Sequence, residues 1–333
     1  MQIKEIGEQG LLKILQRFCP PDIIGDDGAV LPTTAGKSLV VTTDVLIDNV
    51  HFSEITTSPS DVGWRAAAAN LSDLAAMGAS PLGITVGLGL PAETPVNWVE
   101  NLYQGMIQCL QTYNTPIVGG DIVRSPIISV AITAFGEVAP QLVIGRNKAK
   151  VGDAIIVTGC HGASRAGLEL LLNPDLTTSL DKDDREALIK AHQRPKPRLD
   201  VLPILWEIID SYSIVDICGM DSSDGLADAI LQVCQCSQVG AVIEAIQIPL
   251  HKAFENWLTE EQALEYALYG GEDFELLLCL PKQAASELVR KLGNNAAEIG
   301  TITDSDKVLL HNNNKKIPDQ VLNLNRGFLH FTN

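Results

Sequence analysis

The sequence predicts an α/β protein of the α+β sandwich type, arranged in two domains. Three observations lead there. Short apolar runs rich in Val, Ile and Leu alternate with amphipathic or alanine-rich stretches. The predicted strands adjoin one another often enough for sheets backed by helices rather than a strictly repeating crossover array. A length of 333 residues also exceeds the reach of one typical hydrophobic core.

The opening MQIKEIGEQGLLKILQRF has helical periodicity and lacks the apolar h-region of a signal peptide. Val40–Asp44 reads as a buried strand, Ser60–Met77 as an Ala-rich helix stopped at Gly78, and Gly83–Leu90 as a strand closed by Pro91. Asn97–Tyr113 is an amphipathic helix with Val99, Leu102, Met106 and Leu110 on one side. Ile117–Val118 and Ile127–Val138 supply further strands. The stretch QLVIGRNKAKVGD then turns polar and basic, which places the domain boundary there and gives domains 1–145 and 146–333.

In the second domain Val151–Thr158 reads as a strand and Ala163–Leu172 as a helix, followed by an acidic helix start at Asp181–Asp184. The two prolines of RPKPRLD mark a rigid connector. Leu226–Cys234 reads as a helix, and Ala241–Ile246, Glu275–Leu280 and Glu298–Ile302 as strands. The last segment, LNRGFLHFTN, is apolar enough to dock rather than trail.

Charge narrows the function. The net charge is 24 − 41 = −17, and such a surface repels nucleic acid and anionic membranes. No apolar run approaches the ~18 residues of a membrane span. Seven dispersed cysteines, with no framework of spacings, point to free thiols in a reducing cytoplasm.

Six aspartates stand out: Asp27 in GDDGAV, Asp44 in TTDVLIDNVHF, Asp73 in NLSDLAAMGAS, Asp121 in VGGDIVRS, and Asp221 with Asp224 in MDSSDGLADA. Most adjoin apolar runs, where an unmatched carboxylate is costly to bury, and Lys and Arg are nearly absent nearby. A hard divalent cation would supply the missing charge, and Mg²⁺ typically arrives with phosphates. That makes a phosphoryl-transfer enzyme the leading class.

Each segment also has a plain structural use. Thr42-Thr43-Asp44 offers two hydroxyls and a carboxylate at a strand end, and equally a strand-terminal turn. Asp73 lies inside an apolar helix and needs a partner. Gly119-Gly120-Asp121 would let a phosphate approach backbone amides, or would form a tight turn. Asp221-Ser-Ser-Asp224-Gly225 leads into a helix, where backbone N–H groups bind phosphate or where Ser223 or Asp224 caps the end. Gly270-Gly271-Glu272-Asp273 fits a helix C-terminus, with two carboxylates available to a ligand. Familiar signatures fail: Gly36-Lys37-Ser38 has Leu31 where a P-loop needs glycine, and Gly87-Leu-Gly89 runs into Leu90-Pro91 instead of a helix. No Ser or Cys elbow marks a covalent nucleophile.

Taken in order, GDDGAV, TTDVLIDNVHF, NLSDLAAMGASP, IVGGD, DSSDGL, YGGEDFELLL and the closing GFLHF resemble the signatures of the thiamine-monophosphate kinase family, from about Gly7 to Phe331. Sister families of that superfold are aminoimidazole ribonucleotide synthetase, selenophosphate synthetase and a hydrogenase-maturation protein. The chain lacks the reactive N-terminal Cys and Lys pair of the second and the C-terminal Cys of the third.

The resemblance implies a two-domain AIR synthetase-like fold, whose N-terminal sheets form a shared barrel in a homodimer. It implies ATP-dependent phosphorylation of thiamine monophosphate to the diphosphate. By the same resemblance Asp27, Thr42, Thr43, Asp44, Asp73, Asp121, Asp221 and Asp224 would be Mg²⁺ ligands. Tyr103, Gly120, Asp121, Arg146 and Ser223 would contact ATP, and His51, Glu272 and Phe328 would line the thiamine-phosphate site. Gly28 and Ile122-Val123 depart from the usual pattern without removing a ligand. No catalytic nucleophile or general base is expected. The rival readings are another ATP-using enzyme of the same superfold, or a non-catalytic protein that binds metal or nucleotide.

Overall fold

The computed structural model describes residues 1–21, 23, 28–177, 180–312 and 319–323; Asp27 and Phe328 lie outside the described residues. The chain divides into two compact units, Met1–Leu74 with Ala79–Pro140, and Ala75–Gly78 with Gln141–Asn333.

In the first unit, α1 (Ile3–Leu15) is followed by β1 (Ser38–Ile47), α2 (Pro59–Ala76), β2 (Ser80–Leu90), α3 (Val96–Thr112), β3 (Ile117–Arg124) and β4 (Ser129–Val138). The four strands form one sheet in the order β1-β4-β2-β3, antiparallel except for the parallel pair β2–β3. Burial alternates along β4: Val130, Ile132 and Ala134 are buried, and the residues between them are not. Period-2 alternation of this kind belongs to a sheet covered on one face. The covered face meets α2, whose Leu74 lies 3.0 Å from where a Cβ on Gly136 would stand. The other face carries Leu39, Val41, Val45 and Val123, exposed by 56, 52, 45 and 55%.

Helices α2 and α3 touch backbone to backbone. A Cβ on Gly63 would stand 1.9 Å from the Leu102 carbonyl, and one on Gly105 would stand 1.7 Å from the Ser60 carbonyl. The run Ala66–Ala69 on α2 keeps its buried side small. Only glycine permits so close a crossing.

One expectation is corrected here. The strand read as ending at Val118 continues as β3 through the glycines of VGGD to Arg124, which leaves no place for the tight turn that was the alternative there. They pair in parallel register, Thr85 with Gly119, Val86 with Gly120 and Gly87 with Asp121. The absent Cβ of Gly120 leaves room for the Val86 carbonyl, which would otherwise lie 2.2 Å from it.

The second unit contains β5 (Ile144–Gly145), β6 (Ala154–Thr158), α4 (Ala163–Leu172), α5 (Lys182–Gln193), α6 (Leu202–Ser211), β7 (Ile217–Asp221) and α7 (Leu226–Ser237). Then follow β8 (Gly240–Glu244), α8 (Glu260–Tyr269), β9 (Leu276–Leu280), α9 (Lys282–Leu292), β10 (Ala296–Thr303), β11 (Val308–His311) and β12 (Gln320–Val321). Its sheet is mixed, in the order β12-β11-β8-β10-β6-β9-β7-β5. Strands β6, β7 and β9 are buried at every position.

Alternate residues of these strands feed two cores. Ile155, Val157, Met220 and Leu277 join residues of α7 and α8, while Ile156, Ile217, Leu278 and Leu280 join residues of α6 and α9. Helices on both faces make near-continuous apolar strands the expected sequence pattern. The α/β architecture read from the sequence is borne out. The strands β5, β7, β11 and β12 were not anticipated; β5 and β12, of two residues each, carry no periodicity to read.

The α2–α3 crossing yields a stability prediction. Gly105→Ala should cost about 1–3 kcal/mol by overpacking. It should lower the urea midpoint while leaving far-UV dichroism native, and an unshifted midpoint would show that the helices have room to spare.

Candidate active site

The TTD segment lies within β1, not at its end. Thr42 pairs with Ala134 and Asp44 with Ile132, both buried, so these two side chains share the helix-covered face. The Thr42 hydroxyl donates to Asp73 Oδ2 on α2, which supplies the partner that an aspartate in an apolar helix requires. Thr43 points the other way, with its hydroxyl 2.8 Å from that of Thr133. The expectation of three ligands within one turn is therefore corrected: strand alternation separates Thr43 from its neighbours.

Asp121 is exposed, which corrects the premise that it is a costly buried carboxylate. Its register row runs through Gly87, Ala131 and Val45, on the uncovered face. It sits on the opposite edge strand from Asp44, about 14 Å away at three strand spacings. Within one chain the sheet brings Thr42, Asp44 and Asp73 to the same side and keeps Asp121 apart. Gly120 precedes Asp121 on the same strand.

His51 stands in the turn after β1, where Ile47 N–H donates to its Nδ1 at 3.1 Å. Tyr103 is only 5% exposed, and its ring lies 5.4 Å from that of Phe18. Burial raises its hydroxyl pKa above the ordinary value. So enclosed a ring belongs to the core of the first unit and leaves little of its surface to meet a nucleotide.

In the second unit, Asp221 ends β7 and is buried, while Asp224 is exposed. Ser223 Oγ donates to Asp221 Oδ1 at 3.1 Å. Neither Ser223 nor Asp224 caps α7, so that alternative use of the two residues is not realised: the N-cap is Gly225 at φ 110, with no side-chain hydrogen bond. Arg146 reaches the same helix, its Nη1 donating to Gln232 Oε1 at 2.6 Å, and Gln232 donates in turn to Asp228 Oδ2 at 2.5 Å. Burial raises the Asp228 carboxyl above its ordinary value, and the charge of Asp224 adds to that. Thus Asp221, Ser223 and Asp224 lead into the start of α7, while Arg146 meets the same helix at Gln232, near its middle.

The GGEDFE segment docks beside them. Glu272 N–H donates to the Ser223 carbonyl at 2.6 Å, and Gly271, Glu272 and Phe274 adopt φ of 68, 57 and 52°. Three left-handed residues in four are costly for the two that carry side chains, and such strain gathers at functional sites. Glu272 Oε2 lies 3.6 Å from Nδ1 of buried His192, whose ring also meets Ser164 Oγ at 3.2 Å. Asp273 accepts from the N–H groups of Gly162 and Ser164, at 2.7 and 2.9 Å, bridging the segment to α4. Burial pushes its carboxyl up to about 7 against those two donors, helped by the charges of Glu275 and Glu272. Glu275 meets the Arg198 guanidinium and the Thr158 hydroxyl; burial nevertheless holds it above the ordinary carboxylate value.

Sequence reasoning offered Asp273 to a ligand, whereas its carboxylate is turned to the Gly162 and Ser164 amides, and it missed Glu275, His192 and Arg198. The available signal was three acids in four residues with no base nearby, and an arginine in a proline-stiffened connector. Arg198 is 5% exposed.

Among the described residues no three His, Cys, Asp or Glu side chains form a group able to hold a metal ion, and Asp27 lies outside them. The donors assembled by Thr42, Asp44 and Asp73 are all oxygens. That is the set a hard cation such as Mg²⁺ takes, and it does not suit a softer metal. No helix among the described residues is long and apolar enough to cross a membrane.

Comparison with known proteins is consistent along the chain. The family model described as AIR synthase related protein, N-terminal domain, matches residues 25–138, and that of the C-terminal domain matches 150–311. A thiamine-monophosphate kinase of Synechococcus elongatus is 50% identical over 330 residues, covering 99% of this chain and 98% of that one. One from Aquifex aeolicus is 33% identical, covering 99% and 100%. Among solved structures, thiamine-monophosphate kinase from Stenotrophomonas maltophilia K279a superposes with a TM-score of 0.76, at 33% identity and 91% and 93% coverage. A structure described as AaThiL complexed with AMPPCP and TMP gives 0.72, at 32% identity and 96% and 98% coverage. A hydrogenase maturation protein shares the fold at 19% identity and a TM-score of 0.75.

Fold and matched regions together define a two-domain protein of the AIR synthase related class. The relationship is closer than the class, since it runs the length of the chain at up to half identity. The chain belongs to the thiamine-monophosphate kinase family.

Asp273 predicts a pH effect on stability. Its folded pKa, about 7, lies above the ordinary 3.8, so its contribution is fully present below pH ~4 and is lost as pH rises through ~7. Subtracting the urea midpoints of Asp273→Asn from those of the wild type, pH by pH, should give a difference that falls between pH 4 and 7. A flat difference would mean that the carboxyl titrates normally.

Proposed function

We propose that this chain transfers the terminal phosphoryl group of ATP to thiamine monophosphate, forming thiamine diphosphate by direct, in-line transfer. The observation that carries the reading is the set of hard oxygen donors on one side of β1, where the Thr42 hydroxyl meets Asp73 and Asp44 shares the face. Relatives named for this activity, matching the whole chain, supply the substrates.

The acceptor is a phosphate already ionised at neutral pH, so the reaction needs no general base. What it must overcome is repulsion: two unit charges ~4 Å apart cost ~4 kcal/mol at an effective dielectric of ~20. Bound Mg²⁺ would screen both anions and align the transfer. Thr42, Asp44 and Asp73 would hold it on the first unit, with Thr43, Asp27 and Asp121 completing the set, and Asp221 and Asp224 on the second. Arg146, Ser223, Gly120 and Asp121 would fix the nucleotide phosphates; the uncapped start of α7 suits an anion. His51, Glu272 and Phe328 would bind thiamine monophosphate.

The reading extends to domains 1–145 and 146–333, a cytoplasmic location and a homodimer. No role for nucleic acid or membrane is proposed. The dimer has support in the uncovered sheet face, because Leu39, Val41, Val45 and Val123 form an apolar surface of the kind a second copy buries. Thr43 and Asp121 lie on that face, so a partner's sheet against it would complete surroundings that one chain leaves open.

The purified protein should form thiamine diphosphate from thiamine monophosphate and ATP, and should lose that activity on chelation of divalent cations. Asp44→Asn and Asp121→Asn should each abolish turnover while keeping a native thermal midpoint. Near-normal kcat in both at saturating Mg²⁺ would refute the ligand assignment, and an acid-stable phosphoprotein intermediate would refute direct transfer. Sedimentation should show a dimer, shifted toward monomer by Val41→Glu.

A further inference from the structure

His51 lies in the turn that leaves β1, and its ring folds back onto the strand it follows. β1 is an edge strand, so half of its N–H groups face no neighbouring strand. One of these, on Ile47, donates to His51 Nδ1 at 3.1 Å. A backbone amide can only donate, so Nδ1 must be the acceptor and carries no proton. The neutral ring therefore holds its single proton on Nε2.

The turn around the ring is tied at nearly every peptide. The N–H groups of Val50 and His51 both donate to the Ile47 carbonyl, at 3.1 and 2.9 Å. Asn49, at φ 61, donates its N–H to the Phe52 carbonyl at 2.8 Å. From α2, Arg65 Nη1 donates to the His51 carbonyl at 2.9 Å. Arg65 is 2% exposed and directly precedes the alanine run that α2 buries. A guanidinium is among the most expensive groups to bury, and its rigid fork fixes the direction of what it binds. Leucine would fill that space at lower cost.

We propose that Arg65 and the Ile47 N–H are positioning groups that lock His51 in its Nε2–H tautomer. His51 then presents one N–H donor to a hydrogen-bond acceptor on the substrate and rejects a donor at that point. The inference rests on the reading that His51 contacts thiamine monophosphate.

The test compares full-length wild type with His51→Ala, His51→Asn, His51→Gln and Arg65→Lys. An Asn amide reaches the Nδ1 position and a Gln amide the Nε2 position. His51→Ala and His51→Asn should raise KM for thiamine monophosphate roughly ten- to hundredfold, the scale of one lost hydrogen bond to a charged or buried partner, with KM for ATP unmoved. His51→Gln should recover most of that loss. Arg65→Lys should raise KM for thiamine monophosphate while retaining kcat.

Long-range proton–nitrogen NMR of the His51 ring in the free protein should show the Nε2–H pattern, an observation independent of turnover. An Nδ1–H pattern, or His51→Asn matching or outperforming His51→Gln, overturns the inference. Arg65→Lys that lowers only the thermal midpoint removes Arg65 from it. If the wild type makes thiamine diphosphate and His51→Ala leaves KM for thiamine monophosphate unmoved, the fault lies in the reading of His51 as a substrate contact. If the wild type makes none and the ring shows Nε2–H, the tautomer lock stands and the proposed function falls.

Discussion

Side chains on a strand alternate between faces, and along β1 that alternation sends Thr42, Asp44 and Leu46 to the covered side while Leu39, Val41, Thr43 and Val45 point away. Much of the first unit follows from this partition. The inward set must satisfy a carboxylate among apolar residues, and the Thr42–Asp73 hydrogen bond ties β1 to α2 in doing so. The outward set leaves an apolar face that a monomer has no means of covering. The helices can lie close enough to serve the inward set because Gly63 and Gly105 remove the side chains that would hold them apart.

The second unit handles acidic groups differently. There the carboxylates of the GGEDFE segment are met by protein donors: Asp273 by two amides at the start of α4, and Glu275 by Arg198 and Thr158. These contacts bend the segment through its left-handed residues and set Glu272 between His192 and the Ser223 peptide. Removing one partner of such a buried ion pair typically costs about 3–5 kcal/mol. The segment is therefore built as a rigid support, with the Glu272 side chain left partly exposed on it.

The candidate site residues were not equally legible. Oxygen-donor residues in glycine- and serine-rich contexts could be picked out one by one, since composition and spacing exclude a P-loop, a dinucleotide turn and a covalent nucleophile. The buried anchors Arg198 and Arg65 could not be, because an arginine near proline or alanine looks the same whether it faces water or the core. The extension of β3 through Gly119 and Gly120 was misread for a related reason. Local propensity favours a turn there, and the parallel ladder with β2 overrides it.

By itself the sequence determined the α/β class, the order of the major helices and strands, the family, and which residue types are available for phosphate and cation chemistry. These depend on periodicity, turn chemistry and ordered motifs, which are properties of neighbours along the chain. Tertiary structure alone decided that Thr43 faces away from Thr42 and Asp44, that Asp121 stands on the opposite edge of the sheet, that Tyr103 is enclosed, and that the Ile47 N–H meets His51 Nδ1. Each of these depends on which strand, helix or backbone amide lies alongside, and residues brought together from distant parts of a chain leave no mark on local sequence.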